Sequence, residues 1–319
     1  MKWINKRKIF DPSEHNLLYG KGLFAQSPQA LVFKDYVRIY FSTRKLDKNN
    51  GKYLSYISYV DFNKSIDQIL NIAKEEVIPL GELGAFDEHG IFPINPLKID
   101  NRIKAYTCGW SRRKSVSVET GIGIVESYDN GKTFKRLGKG PILSASLNEP
   151  VLVGDAFVKK YSGIYHMWYI YGKKWMEATV EEPAARVYKI AHATSIDGMD
   201  WRKDEEAQII LDVLGINECQ ALPTVIKAND LYHMFFCFRQ STDFRKNPER
   251  SYRLGYAFSK DLKTWMRNDQ KAALPTMEKD WDSEMVCYPN IFECDSKIYL
   301  LYNGNEFGKY GFGIAELII

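Results

Sequence analysis

The chain has 319 residues, 45% of them hydrophobic and 26% charged, with a formal net charge of +4. That balance excludes a disordered or collagen-like chain. The charge is too small, and too evenly mixed with acids, for a nucleic-acid binder, which shows a basic stripe. No apolar run reaches membrane-spanning length. The basic N-terminus, Met1 to Lys8, has no apolar segment behind it, so no signal peptide is expected. The five cysteines (Cys108, Cys219, Cys237, Cys287 and Cys294) are scattered without CxxC spacing. They read as reduced thiols of a cytoplasmic protein, with no metal or other cofactor signature.

In chain order, the first candidate strand is Trp3 to Ile9, which has no sequence neighbour to pair with. A unit then begins with Ala25 to Leu31, the aromatic-rich strand Tyr36 to Ser42 and the strand Tyr53 to Ser58. Ser65 to Glu76 is the only segment read as a helical turn or two. The aromatic-rich strand returns at Arg102–Thr107, Ile164–Tyr169, Leu231–Phe236 and Lys297–Tyr302. Anchored on Tyr40, Tyr106, Trp168, Phe235 and Leu301, the units are spaced 66, 62, 67 and 66 residues apart. Self-similarity at that period signals a repeat architecture. The middle units share a third piece of pattern at Ser127-Tyr128-Asp129, Ser195-Ile196-Asp197 and Ser259-Lys260-Asp261. Asp followed by Gly or a polar residue suits a tight hairpin with an Asx-type bond. Repetition assigns these aspartates to turns rather than to catalysis.

Four antiparallel strands per unit, repeated radially, predict an all-β fold: a five-bladed β-propeller forming a single domain over residues 1–319. The last unit lacks a fourth strand, and Trp3 to Ile9 is expected to supply it and close the ring. Antiparallel connection then places Arg44–Gly51, Trp110–Thr120, Gly172–Arg186, Arg239–Tyr252 and Asn303–Tyr310 together on one face. A ligand is expected in the funnel beneath those loops. The inner strands and their approaches carry Ser27 and Gln29, Asp87, Glu88 and His89, Asp155, Glu218, and Glu284. Carboxylates at such a rim are costly to desolvate unless paired or used. They are therefore either acid–base machinery or blade-to-blade fasteners. Arg44 and Arg239 each end a second strand beside an inner strand, and arginine suits phosphate or carboxylate. Ser27, Gln29, Glu88, His89, Trp110 and Asn303 join them as expected substrate contacts. His166, His192 and His233 lie within strands and are expected to pack inside blades.

The blade count and these short acidic motifs resemble the five-bladed glycoside hydrolases of families 43 and 32 and, more distantly, family 130 phosphorylases. Those families carry an Asp, usually before Pro, in blade one, an Asp in blade three and a Glu in blade four. Gly154-Asp155-Ala156-Phe157 and Asn217-Glu218-Cys219 match the second and third. The resemblance implies a carbohydrate-active enzyme with Glu218 as general acid and Asp155 as the partner that orients it and tunes its pKa. Its substrate would be a carbohydrate, anionic ones included. Blade one departs from the pattern, with Ser27-Pro28 where the Asp should be. A hydroxyl cannot replace the carboxylate that ordinary glycoside hydrolysis requires. Replacement by Asp87, Glu88 or Glu284 is the preferred expectation. A phosphorylase or glycosyltransferase, or a non-catalytic sugar-binding propeller, are the alternatives.

Overall fold

The computed structural model describes residues 1–20, 24–180, 183–204, 207–275 and 279–319. Twenty strands form five four-stranded antiparallel sheets arranged as propeller blades. Blade one is β2 (Gln26–Val32), β3 (Val37–Asp47), β4 (Lys52–Phe62) and β5 (Ile69–Ile72). Blade two is β6 (Ile91–Ile99), β7 (Arg102–Arg112), β8 (Val118–Ser127) and β9 (Lys135–Arg136). Blade three is β10 (Val153–Tyr161), β11 (Ile164–Met176), β12 (Ala185–Ser195) and β13 (Arg202–Lys203). Blade four is β14 (Cys219–Ala228), β15 (Leu231–Arg239), β16 (Arg253–Ser259) and β17 (Met266–Arg267). Blade five is β18 (Cys287–Cys294), β19 (Lys297–Asn303) and β20 (Phe312–Ile318), completed by β1 (Lys2–Phe10).

The N-terminal strand closes the ring as expected. Trp3 pairs with Leu317 and Arg7 with Ile314, and the Trp3 indole donates to the Ala272 carbonyl at 2.9 Å. The helical expectation for Ser65–Glu76 is corrected, because Ile69 and Ile72 pair with Phe62 and Val60 as a short outer strand. A blade needs that fourth strand, and tertiary pairing overrides local propensity there.

The repeated aspartates build the turns. Asp129 accepts from the Lys132 and Thr133 amides, Asp197 from Met199 and Asp200, and Asp261 from Lys263 and Thr264. Two of these turns also fasten blades, since the Tyr40 and Tyr106 hydroxyls donate to the Gly131 and Gly198 carbonyls of the following blade. Nearer the axis the inner strands latch side by side. Asn95 accepts from the Val158 amide, Thr224 from Ile291 and Asn290 from Ala30, while Asn290 also donates to Gln29. Gln29, expected to touch substrate, therefore belongs to this latch. Its amide oxygen is occupied by the neighbouring blade.

Candidate functional site

Two of the acids expected to be catalytic, Asp87 and Glu218, belong to a set of acids that fasten blades instead. Each lies just ahead of an inner strand and pairs with a cation on the outermost strand of its own blade. Asp87 takes Arg136 at 2.6 Å, Glu218 takes Arg267 at 2.5 Å and Asp282 takes Lys6 at 2.8 Å; Glu149 pairs with Lys203 in the same way. Glu218 has no exposed surface. One of its oxygens accepts from the Val213 and Leu214 amides and the other from Arg267 and Gln220. A general acid must reach the departing oxygen of its substrate. This carboxylate is spent on its own blade, which speaks against the expected role of Glu218 as general acid.

The proposed substitutes for the blade-one acid fare no better. Asp87 is 1% exposed. Glu88 accepts from the Gly84 amide at a loop tip. Glu284 is exposed on a separate groove between blades four and five, beside Glu249 and Arg253. Ser27 is buried, its amide held by Asn303 at 2.7 Å. Asn303 in turn donates to the Ala25 and Gly311 carbonyls, so both residues join blade five to blade one rather than facing a ligand.

A cavity of about 270 Å³ sits at the axis beneath the loop face. Blade three contributes Asp155 through a bulge in its inner strand. Gly154 pairs with Ile170 and Phe157 with Trp168, which leaves Asp155 and Ala156 out of register. Every inner strand carries such a bulge, between Gln26 and Gln29, Ile91 and Ile94, Ala221 and Thr224, and Cys287 and Asn290. Bulges re-aim side chains, and here they bring Phe92, Asp155 and Tyr288 to the cavity wall, with Ala221 at the edge of the blade-four bulge. Blade two adds Trp110, which packs against His89 with ring centroids 5.6 Å apart. Its strand is fixed by Gly90, whose φ of +127° and 2.0 Å approach of the Ser55 carbonyl to any added Cβ admit only glycine. His89 itself stands behind Trp110, its carbonyl accepting from Ser55. Burial first, then Arg112, lowers its pKa.

Among the described residues lining the cavity, Asp155 is the one carboxylate. Burial raises its pKa to about 7, against the opposing pull of Arg186 and a hydrogen bond from the Leu222 backbone. The remaining charges on the wall are guanidiniums: Arg44, Arg186 and Arg245. None of the three pairs with a carboxylate among the described residues. Arg44 is oriented by Gln26 at 2.7 Å. Burial and the neighbouring Arg245 both lower its pKa. Guanidiniums clustered in a half-enclosed pocket are chemically suited to an anion.

The structure thus brings Asp155, Arg44 and Trp110 together, with His89 behind them. Arg239 lies in an adjoining chamber. Arg186, Tyr188, Tyr252 and Tyr288 were not singled out from the sequence. The bulge register places Tyr288 opposite Asp155, a signal available from the repeat alignment alone. Among the described residues no cluster of His, Cys, Asp and Glu is arranged to hold a metal ion. No described helix is long and apolar enough to cross a membrane.

Fold and bulged axial site together define a five-bladed propeller of the kind found in glycoside hydrolases. A solved structure titled simply glycoside hydrolase superposes with a TM-score of 0.73 at 16% identity, over 97% of this chain and 90% of the other. A thermostable family-43 glycoside hydrolase gives 0.65 at 14% identity, over 92% and 90%. The β-1,2-mannobiose phosphorylase from Listeria innocua, in complex with β-1,2-mannobiose, gives 0.67 at 11%, over 98% and 97%. No family model matches the sequence. By sequence the chain is 30% identical over 320 residues to the uncharacterized protein Rv1502 of Mycobacterium tuberculosis (strain ATCC 25618 / H37Rv), covering 99% of both. It belongs to the family of that mycobacterial protein.

Proposed function

We propose that this protein is a carbohydrate-active enzyme that transfers a glycosyl group between a glycoside and phosphate, with Asp155 as its proton carrier. The observation behind the reading is the charge census of the axial cavity: one carboxylate among three guanidiniums. Glycoside hydrolysis of the ordinary kind uses two carboxylates flanking the scissile bond. With phosphate as nucleophile the second carboxylate is unnecessary, and a carboxylate there would repel the attacking anion. Arg44, Arg186 and Arg245 would hold the phosphate and offset its charge as it approaches the anomeric carbon. Trp110, Phe92 and the tyrosines supply the flat apolar faces on which a sugar ring packs.

In the phosphorolytic direction a phosphate oxygen bonds to the anomeric carbon while the glycosidic C–O bond breaks. Asp155 gives its proton to the departing oxygen and leaves as a carboxylate. Synthesis runs the same atoms backward, with the carboxylate taking the proton of the acceptor hydroxyl. A pKa near 7 keeps both forms populated at neutral pH, which suits a group that works in both directions. A propeller of the same fold, the Listeria enzyme, is titled a phosphorylase, so the scaffold admits this chemistry. The test runs in the synthetic direction, where a panel of sugar 1-phosphates is mixed with neutral and acidic sugar acceptors. Release of inorganic phosphate that Asp155→Asn abolishes supports the reading. Hydrolysis of glycosides at the same rate with and without phosphate would sink it.

A further inference from the structure

Beside the axial cavity lies a second chamber of about 300 Å³, and the two share a wall of Arg186, Tyr188, Arg245, Tyr252 and Tyr288. Arg239 lines this outer chamber and is 4% exposed. One arm of its guanidinium donates to the Gln240 and Ser241 carbonyls and the other to the Tyr188 hydroxyl at 2.8 Å. Phe244 lies 3.5 Å beneath it, and its Nε has no partner. Among the described residues no carboxylate pairs with it. The guanidinium is held by carbonyls, by the Tyr188 and Tyr252 phenols and by ring faces, so it stays charged, and the lack of a carboxylate among the described residues leaves it suited to an incoming anion. Arg245 and Lys246 stand at the exposed rim, and Asp243 is the one carboxylate among the described lining residues. Trp175 also lines the chamber, half-buried against the core of blades three and four, and offers its remaining surface to a pyranose.

We propose that this chamber holds a second sugar unit of the substrate and that the unit is acidic, carrying a carboxylate or a phosphate. The inference rests on the glycosyl-transfer reading of the axial cavity, to which it adds the substrate class. The geometry joins the two: a disaccharide spans the shared wall with its scissile bond at Asp155 and its charged unit over Arg239. Trp175 packs against the ring, while Arg239 and Lys246 select the charge.

The probes are pyranuronic acids, the matching hexose 6-phosphates and their neutral parents, titrated calorimetrically into the full chain. Acidic members are expected to bind at least about tenfold more tightly than their neutral parents. Whether uronates or phosphates lead identifies the charged group. Lys246→Ala should weaken the acidic probes by about tenfold for the lost charge, and Trp175→Ala should weaken acidic and neutral members alike. Equal affinity for acidic and neutral members, or no binding by any member, would overturn the proposal. Failure of the axial reading shows differently. Phosphate-independent turnover, with the acidic preference retained, removes the phosphorylase and leaves this chamber standing.

Discussion

Replacing Asp155 by Asn should make the protein more stable at pH 8 than the natural chain, and no more stable at pH 4. Burial raises the Asp155 pKa from 3.8 to about 7. The folded state therefore holds this proton more tightly than the unfolded chain does. The associated stability is complete below about pH 4, and it is lost as the pH rises through 7. A shift of roughly three units at 1.36 kcal/mol each sets the ceiling at about 4 kcal/mol. Asn keeps the shape and cannot ionise, so the variant escapes the loss. Urea unfolding from pH 4 to pH 8, in buffer free of phosphate, measures the difference. Phosphate must be absent, because an anion bound to the folded state stabilises it by mass action. Curves that run parallel across the range would show that Asp155 ionises normally, and the proton-carrier role would lose its physical basis.

Glu218→Gln takes one of two carboxylates from the buried Arg267 and leaves it Asp269, and should cost about 1–3 kcal/mol in unfolding free energy, while the rate per folded molecule stays near that of the natural chain; abolished turnover in a normally stable variant would restore Glu218 as an acid. Trp3→Ala removes an indole packed on Phe235 and bonded to Ala272, and should cost about 3–5 kcal/mol; an unchanged denaturation midpoint would contradict ring closure by β1. Ser27→Asp buries a carboxylate where the Ser27 hydroxyl already lacks a partner, so the melting temperature should fall with no gain in hydrolysis; a gain would place Ser27 at the reacting centre.

The propeller was legible because its signals are local. Strand periods, turn aspartates and aromatic anchors all recur within a window that sequence reading resolves, and the orphan strand Trp3–Ile9 then had one free edge to fill. The site was less legible, and the acids show why. Asp87, Glu149 and Asp282 each stand nineteen residues before the anchor of their unit, and Glu218 stands seventeen before its own. An acid that recurs with the repeat serves the repeat. That argument assigned Asp129, Asp197 and Asp261 to turns, and it extends to the blade-fastening acids. Asp155 stands thirteen residues before Trp168, and its counterparts at that distance are Ser27, Pro93, Leu222 and Tyr288. It is a carboxylate with no acidic counterpart in the repeat, and it lines the axial cavity. Arg186 and Arg245 lie at or beyond strand ends in long loops, whose paths no periodicity fixes. Their convergence on one cavity is a property of the closed ring.

Phosphate dependence of glycoside breakdown tests the central claim most directly. The natural chain and the Asp155→Asn and Arg44→Gln variants are incubated with a mixed pool of neutral and acidic oligosaccharides over a phosphate series. The account predicts sugar 1-phosphate as product and a rate that saturates with phosphate. Asp155→Asn should be inactive, and Arg44→Gln should need about tenfold more phosphate for half its maximal rate, the loss expected for one charged hydrogen-bonding partner. Free reducing sugar, formed at a rate indifferent to phosphate and to Arg44, would contradict it.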